Sequence, residues 1–452
     1  MYEDLTLDDL VIRSSSHTPF FGIYLATHAI RDALCMCHAS VGCKVKTQLH
    51  LVDHDGIADA HNRRRYSQFI DEDLIQGSTA QLESEIVSFQ KRLQSQLVVI
   101  DCSTPISLQG QSLKAVVERL RATTGVDVVH VDSRNAEQDY LSGYAATVAT
   151  LFRRQFEKAN GGERASPVQT HADEVTVLGY PFDRYEPDHT GNIAELRRLL
   201  FGLGLKAKAV FFAGEPYATL QDAVHARHHV LLPYAHGMQA DLVKLGLQGI
   251  ATGLPMSVGG TRRWLTQVAT ATGIAPARLD KLLDHELDRV KPLAELARKH
   301  LRGRTFAAFA DPPRLAGLVA TLSEVEMVPT VLGTLHFSLG GRETVQRLLR
   351  DHHGIELPTT VQWLHDPAPH ELVRLASHVR HDGPTLQGTD LVIGTSIERQ
   401  HLQASARPFV EFGFPSERRH HLFPAPWLGF HGAMRLTEQV LHALEWPPPA
   451  PR

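Results

Sequence analysis

The sequence predicts an α/β protein built from three Rossmann-like, doubly wound, parallel-sheet domains. Short β-branched runs alternate with helical stretches along the chain, which is typical of parallel sheets. These runs lie at 97–100 and 126–131 in a first group, at 174–179, 209–214, 229–232 and 250–255 in a second, and at 305–310, 329–333, 361–364 and 391–395 in a third. A length of 452 residues allows each unit about 130–160 residues.

Loop-like sequence separates the groups. A glycine-containing stretch at 160–167 follows the first, and residues 302–304 precede the third. The chain ends in a proline-rich run, a composition that disfavours helix and inner strand. We therefore predict domains at 1–165, 166–300 and 301–435, with the end of a C-terminal helix and a tail at 436–452.

Composition disfavours nucleic-acid and membrane partners. The net charge is −4, whereas a nucleic-acid surface needs clustered Lys and Arg. The basic run at 63–65 is predicted to be a solvated helix face. The N-terminus lacks the basic and apolar regions of a secretory signal, and no stretch approaches the ~18 apolar residues of a membrane span. We expect a cytoplasmic protein.

Two nucleotide-binding motifs are missing from the sequence. It contains neither a Gly-x-x-x-x-Gly-Lys-Ser/Thr phosphate loop nor a strand-linked Gly-x-Gly-x-x-Gly. We therefore do not expect this chain to bind ATP or NAD by those means.

The four cysteines are placed unevenly. Cys35, Cys37 and Cys43 fall within nine residues, Cys102 follows, and none occurs later. In a reducing compartment such clustering favours metal or redox chemistry over disulfides, although buried cysteines also pack as small apolar residues. The chain therefore has candidate thiolate ligands in its first domain only.

Cys43 and Cys102 are the main candidates. Gly42 before Cys43 permits a tight turn beside the thiol, which leaves room for a bulky cluster. Cys102 directly follows the predicted strand 97–101, at the sheet edge where ligands bind in open α/β folds. Two thiolates do not complete a cluster, since a 4Fe–4S cluster takes four ligands.

Three further residues are candidates for the remaining protein ligand. Cys35 and Cys37 lie in a short apolar run, and strand alternation there would point both thiols the same way, which also fits a plain buried strand. His17 precedes a predicted helix at 22–33, where a histidine also serves as a cap or surface residue. A partner chain is the other possible source of ligands.

The sequence resembles the component 1 family of nitrogenases and nitrogenase-like reductases. The most specific stretch is 413–434, which contains Gly-Phe-Pro at 413–415, Arg-His-His at 419–421 and Trp-Leu-Gly-Phe-His-Gly-Ala-Met at 427–434. Further matches lie at 175–179 with Asn192, at 253–256 before 261–265, and at 390–396. The resemblance runs through all three predicted domains.

The resemblance implies an iron–sulfur cluster shared with a partner subunit, either P-cluster-like (8Fe–7S) or 4Fe–4S. It places Cys43 and Cys102 at the second and third cluster-ligand positions, and the first falls near His17. It also implies a heterodimer with a homologous α-type subunit, doubled to α2β2, and a separate ATP-hydrolysing iron protein homodimer that delivers electrons. The lack of a phosphate loop in this sequence agrees with ATP hydrolysis by the separate iron protein.

The absence of cysteine after Cys102 makes this chain similar to the family's β-type subunits, with the substrate-reducing cofactor in the partner. No residue of this chain is then predicted to be catalytic. We expect an oxidoreductase subunit that relays electrons, for reductive C–S cleavage of methylthio-alkanes. The alternatives are a chlorophyllide or protochlorophyllide reductase subunit, a true nitrogenase beta chain, a metallocluster-assembly scaffold, and a metal-free α/β binding protein.

Overall fold

The computed structural model describes residues 18–39, 63–68, 77–103, 113–132, 139–159, 170–181, 188–336, 338–377, 383–416, 419 and 422–444. The chain forms two compact units. One contains residues 17–184 and 208–249, and the other contains residues 1–16, 185–207 and 250–452.

The first sheet lies in the unit of residues 17–184 and 208–249. Its four strands have the order β2-β1-β3-β4, and all neighbours are parallel. The elements in chain order are α1 (Pro19–His28), β1 (Ala33–Ala39), β2 (Arg64–Gln68), α2 (Thr79–Leu93), β3 (Leu97–Cys102), α3 (Lys114–Thr124), β4 (Asp127–Val131) and α4 (Tyr140–Ala159). Strands β1 and β3 are buried on both faces, as expected for the centre of a parallel sheet.

The second sheet has the order β6-β5-β7-β8, with β5 and β7 parallel. The elements in chain order are β5 (His171–Leu178), α5 (His189–Gly202), β6 (Lys206–Val210), α6 (Tyr217–Gln221), β7 (Ala226–Leu231), α7 (Gln239–Lys244) and β8 (Gly249–Ala251).

The third sheet lies in the unit that contains residues 250–452. Its five strands are parallel and have the order β11-β10-β9-β12-β13. The elements in chain order are α8 (Val258–Thr272), α9 (Pro276–Leu301), β9 (Thr305–Ala310), α10 (Pro312–Glu324), β10 (Val328–Thr334), α11 (Arg342–Leu348), β11 (Gln362–His365), α12 (Pro369–Ala376), β12 (Leu391–Gly394), α13 (Ser396–His401), β13 (Phe409–Glu411) and α14 (Gly429–Ala443).

Helix α1 is buried along all ten of its residues. It crosses α4 at two glycines, because a Cβ on Gly22 would overlap the Tyr140 carbonyl oxygen and a Cβ on Gly143 would overlap the Pro19 carbonyl oxygen. A helix that is apolar on all sides gains its stability from packing rather than from its own sequence. The close crossing therefore fixes α1 beneath the first sheet.

The predicted α/β class with three parallel sheets is confirmed. All ten predicted strand runs overlap observed strands, but the run at 209–214 is displaced, since β6 ends at Val210 and Phe212 has a φ of 62°. Three strands, β1, β2 and β13, lie outside the predicted runs, although the apolar run around Cys35 and Cys37 also fitted a buried strand. None of the helices in the described ranges has both the length and the apolar character needed to cross a bilayer. The domain boundaries remain a prediction.

The described residues of the C-terminal signature contain a buried polar network. Trp427 is 2% exposed and has the guanidinium groups of Arg419 and Arg435 at 4.8 and 4.3 Å from its ring. The Asn192 side-chain oxygen accepts from the backbone N–H of Trp427 at 2.6 Å and of Leu428 at 3.0 Å. This network joins α5 to the start of α14.

Glu195 of α5 is a buried, paired carboxylate beside that network. It accepts from Arg198 at 2.7 Å and lies 3.0 Å from the imidazole of His431. Although burial opposes ionisation, these two partners hold the pKa of Glu195 at about 2. The carboxylate is therefore charged in the folded protein at any ordinary pH.

This pairing predicts acid sensitivity. Since the folded pKa is below the unfolded value, the contribution of Glu195 is complete above that unfolded value and is lost as the pH falls towards 2. The side chains of Arg198 and His431 are 32% and 41% exposed, so solvent screens both ion pairs. We therefore expect the free energy of unfolding to fall by on the order of 2 kcal/mol. Urea unfolding of Glu195→Gln between pH 5 and 2.5 should be less pH-dependent than wild type. The matched control Glu295→Gln, exposed on α9, should behave like wild type.

Candidate metal centre

Three of the five predicted ligands lie in the described part of the chain. Cys35 and Cys37 are in β1, and Cys102 is the last residue of β3. All three are buried cysteines that are 0–1% exposed. Cys43 and His17 lie outside the described residues, so their assignment as cluster ligands remains a prediction.

The first sheet divides the three described thiols between its two faces. Cys35 and Cys37 are two residues apart in β1, and their sulfurs are 3.6 Å apart, so the prediction that both point the same way is confirmed. Cys37 pairs in register with Asp101, whereas Cys102 pairs with His38. Because successive strand residues point to opposite faces, Cys102 lies on the face opposite Cys35 and Cys37.

Asp101 lies next to the two thiols of β1. One carboxylate oxygen of Asp101 and the sulfurs of Cys35 and Cys37 all lie within 4.8 Å of one another. All three residues are 0% exposed. Burial raises the pKa of the Cys37 thiol well above its usual range, and Cys35 and Asp101 raise it further, whereas Arg64 lowers it. In the absence of a bound cation Cys37 is therefore a neutral thiol.

Arg64 supplies a buried positive charge on the same face. It is 8% exposed, pairs in register with Cys35, donates to the Tyr24 hydroxyl of α1, and its guanidinium lies 5.1 Å from the centre of that ring. The prediction that the basic run at 63–65 forms a solvated helix face is therefore wrong. The run enters β2, and an aromatic ring and a hydroxyl stabilise the buried cation.

Cys102 has different surroundings. It packs with residues of β1, β3, α2 and α3 in a cluster that includes Met36, Ile86 and Leu120. Burial raises the pKa of the Cys102 thiol, and the carboxylates of Asp101 and Asp132 raise it further. A thiolate at this position therefore requires a neighbouring positive charge, such as a metal.

His38 fixes the end of β1 next to Cys102. Its two ring nitrogens are hydrogen-bonded at 2.6 Å to the hydroxyls of Ser67 in β2 and Ser78 before α2. The backbone N–H of Ser103 donates to the His38 carbonyl oxygen at 3.0 Å, which extends the pairing of β1 with β3 beyond Cys102. The carboxyl ends of β1 and β3, beside the candidate ligands, are thus held in place.

Sequence reasoning missed Asp101, Arg64 and His38 as parts of this region. The sequence did contain a signal for Asp101. This carboxylate closes an apolar run and, by strand alternation, lies on the same face of the strand as Val99 two residues earlier. No comparable signal existed for Arg64, since its strand is short and the basic run resembles surface sequence. Register across β1, β2 and β3 brings these residues together.

Three parallel sheets, with two buried thiols inside β1 and a third at the end of β3, define a class of α/β protein suited to a thiolate-bound metal centre. The family model described as "Nitrogenase component 1 type Oxidoreductase" matches residues 18–445. The chain belongs to this family, and the predicted resemblance is confirmed.

Several relatives are beta chains. The chain is 21% identical over 461 residues to the "Nitrogenase vanadium-iron protein beta chain" of Trichormus variabilis, covering 94% of this chain and 91% of that protein. It is 29% identical over 264 residues to one of the subunits of the light-independent protochlorophyllide reductase of Methylobacterium radiotolerans, covering 57% of this chain and 45% of that protein. It is thus a nitrogenase-like oxidoreductase subunit of the β type.

A solved structure described as "Nitrogenase Cp1 at pH 6.5" has the same fold. The TM-score is 0.76 at 16% identity, and the match covers 96% of this chain and 92% of that chain. This similarity confirms the predicted fold.

Proposed function

We propose that this chain is the β-type subunit of a nitrogenase-like two-component reductase. In this role it relays electrons from an ATP-hydrolysing iron protein homodimer, through an iron–sulfur cluster, to a cofactor in a homologous α-type partner. We further propose that the two subunits assemble as α2β2. The match of the family model to residues 18–445, together with Cys102 buried at the carboxyl end of β3, carries the proposal.

Cys43 and Cys102 are the proposed cluster ligands, with His17 at the first ligand position and the partner subunit completing the set. The donor chemistry fits, because iron–sulfur clusters are held by thiolates. Cys102 is buried beside two carboxylates that disfavour its ionisation, so a cationic cluster is what would stabilise the thiolate. When bound, the cluster supplies one-electron transfer. It is P-cluster-like (8Fe–7S) or 4Fe–4S.

Residues of this chain would orient the ligand. Pairing of β1 with β3 and the two hydroxyl contacts of His38 fix the backbone that carries Cys102. The apolar cluster around Cys102 excludes water from one side of the thiol. These contacts favour a fixed ligand geometry and a low local dielectric constant. Both are means by which a protein sets the reduction potential of a bound cluster.

The proposed reaction is reductive C–S cleavage of methylthio-alkanes. The match over nearly the whole length of a nitrogenase beta chain supports a partner that carries a nitrogenase-type cofactor. Protochlorophyllide reduction is the second candidate, which the 29% identity to a chain of the light-independent enzyme supports.

Metal analysis of the assembled complex tests the proposal. The chain would be co-purified anoxically with its natural partner, and iron and acid-labile sulfide would be measured together with EPR spectra of the reduced and oxidised states. About four irons per αβ pair would favour a tetrapyrrole-type reductase with one small cluster. An iron content several-fold higher would favour a larger cluster plus a cofactor in the partner. Iron-free complex would refute the proposal.

Turnover separates an enzyme from an assembly scaffold. With the iron protein, ATP and a reductant, we expect repeated release of thiol from a methylthio-alkane. A scaffold would instead transfer its cluster to an acceptor without turnover. Reduction of protochlorophyllide but not of the methylthio-alkane would show that protochlorophyllide is the substrate.

A further inference from the structure

We propose that Cys35, Cys37 and Asp101 bind a single thiophilic divalent cation, such as Zn²⁺, at a site distinct from the iron–sulfur cluster. The proposal does not depend on the assignment of Cys43 and Cys102. It rests on the two faces of the first sheet, the distances among the three donors, and the charges around them.

The first sheet separates the three donors from Cys102. Cys35, Cys37 and Asp101 lie on the face of Arg64 and Tyr24, whereas Cys102 lies with Met36 on the other face. The Cys102 sulfur is also not within 4.8 Å of all three donors. A single ion on the first face therefore cannot use Cys102 as a ligand.

The spacing of the two sulfurs fits one ion. A tetrahedral ion with Zn–S bonds of about 2.3 Å places two thiolate sulfurs about 3.8 Å apart. The Cys35 and Cys37 sulfurs are 3.6 Å apart, so both fit one ion. The Asp101 oxygen lies within 4.8 Å of both sulfurs and supplies the third ligand with a small adjustment. Two thiolates and a carboxylate suit zinc, which accepts S and O donors.

The charges at the site balance when a divalent ion is bound. Two thiolates and one carboxylate carry three negative charges, a divalent ion reduces this to one, and the buried Arg64 guanidinium balances the remainder. Binding forms two metal–sulfur bonds and one metal–oxygen bond, releases the two thiol protons to solvent, and transfers no electrons. The fourth coordination position is left to a small ligand such as water, as in zinc sites with three protein ligands.

The test uses the full chain purified anoxically with its partner. We expect one zinc per chain in addition to iron, and zinc-edge X-ray absorption with two sulfurs at about 2.3 Å and oxygen or nitrogen at about 2.0–2.2 Å. This measurement needs no variant. A zinc shell with four sulfurs, wild-type protein without thiolate-bound zinc, or a disulfide joining Cys35 to Cys37 would overturn the proposal.

Variants then assign the ligands. The double variant Cys35→Ala/Cys37→Ala should lose zinc and keep its iron, and Asp101→Asn should bind zinc more weakly by more than about tenfold. Cys102→Ala is the matched control and should keep its zinc. Zinc retained in the double variant, or zinc lost in Cys102→Ala, would contradict the site.

Iron content distinguishes the zinc site from the proposed function. Loss of iron from the double variant would make Cys35 and Cys37 cluster ligands and refute the separate ion. Wild-type complex that contains zinc but no iron would refute the proposed function and leave the zinc site standing.

Discussion

Replacing Cys102 by alanine should remove the iron–sulfur cluster and the reductase activity together. The thiol is the buried end residue of β3, held beside His38 by the pairing of β1 with β3, and the described residues bring no second thiol to that face. Loss of a direct ligand should exceed the roughly 10–100-fold effect of losing an outer-shell partner. Iron content, EPR signal and activity of the anoxic complex measure the effect.

Ile100→Val is the matched control. Ile100 lies two residues earlier in β3, on the same face and in the same apolar cluster. We expect a stability loss of roughly 0.5–1.5 kcal/mol with normal iron content. Full iron content and activity in Cys102→Ala would show that Cys102 is only a core residue.

Replacing Gly22 by valine should prevent stable packing of α1 against α4. Even the first added carbon would overlap the Tyr140 carbonyl oxygen and lie 2.8 Å from the backbone nitrogen of Tyr144. Backbone atoms cannot rotate away as a side chain can, so the helices must separate. We expect a cost at or above the upper end of the roughly 1–3 kcal/mol typical of overpacking. Thermal unfolding and yield of folded protein measure it.

Gly237→Ala controls for the general effect of changing a glycine. Gly237 lies in the same unit, and an added Cβ there has no atom within 4 Å. Its stability should match wild type. Equal stability of Gly22→Val and Gly237→Ala would show that the close crossing of α1 and α4 does not limit packing.

Much of the fold could be predicted because buried parallel strands are continuous apolar runs. The run at 305–310 coincides with β9, and the run at 97–100 lies within β3. Strand β2 could not be found in this way, because it reads Arg-Arg-Tyr-Ser-Gln and its burial depends on partners in β1 and α1. A charged strand at this position is specified by tertiary contacts rather than by its own pattern.

The candidate site was predictable in part for the same reason. Alternation within β1 is local, so the common direction of Cys35 and Cys37 followed from the sequence. The positions of Asp101 and Cys102 on opposite faces depend on how β3 is registered against β1, which a single sequence does not specify. Whether Cys43 and His17 are ligands remains a prediction.

The complete burial of α1 has a consequence for synthesis of the chain. This apolar segment leaves the ribosome first among the described helices, but its packing partner α4 ends only at Ala159. Until then the side of α1 that packs against α4 stays uncovered in a nascent chain, even where the strands of the first sheet already cover the rest of the helix. Helix α1 is thus made early but completes its packing late, which leaves apolar surface open during translation.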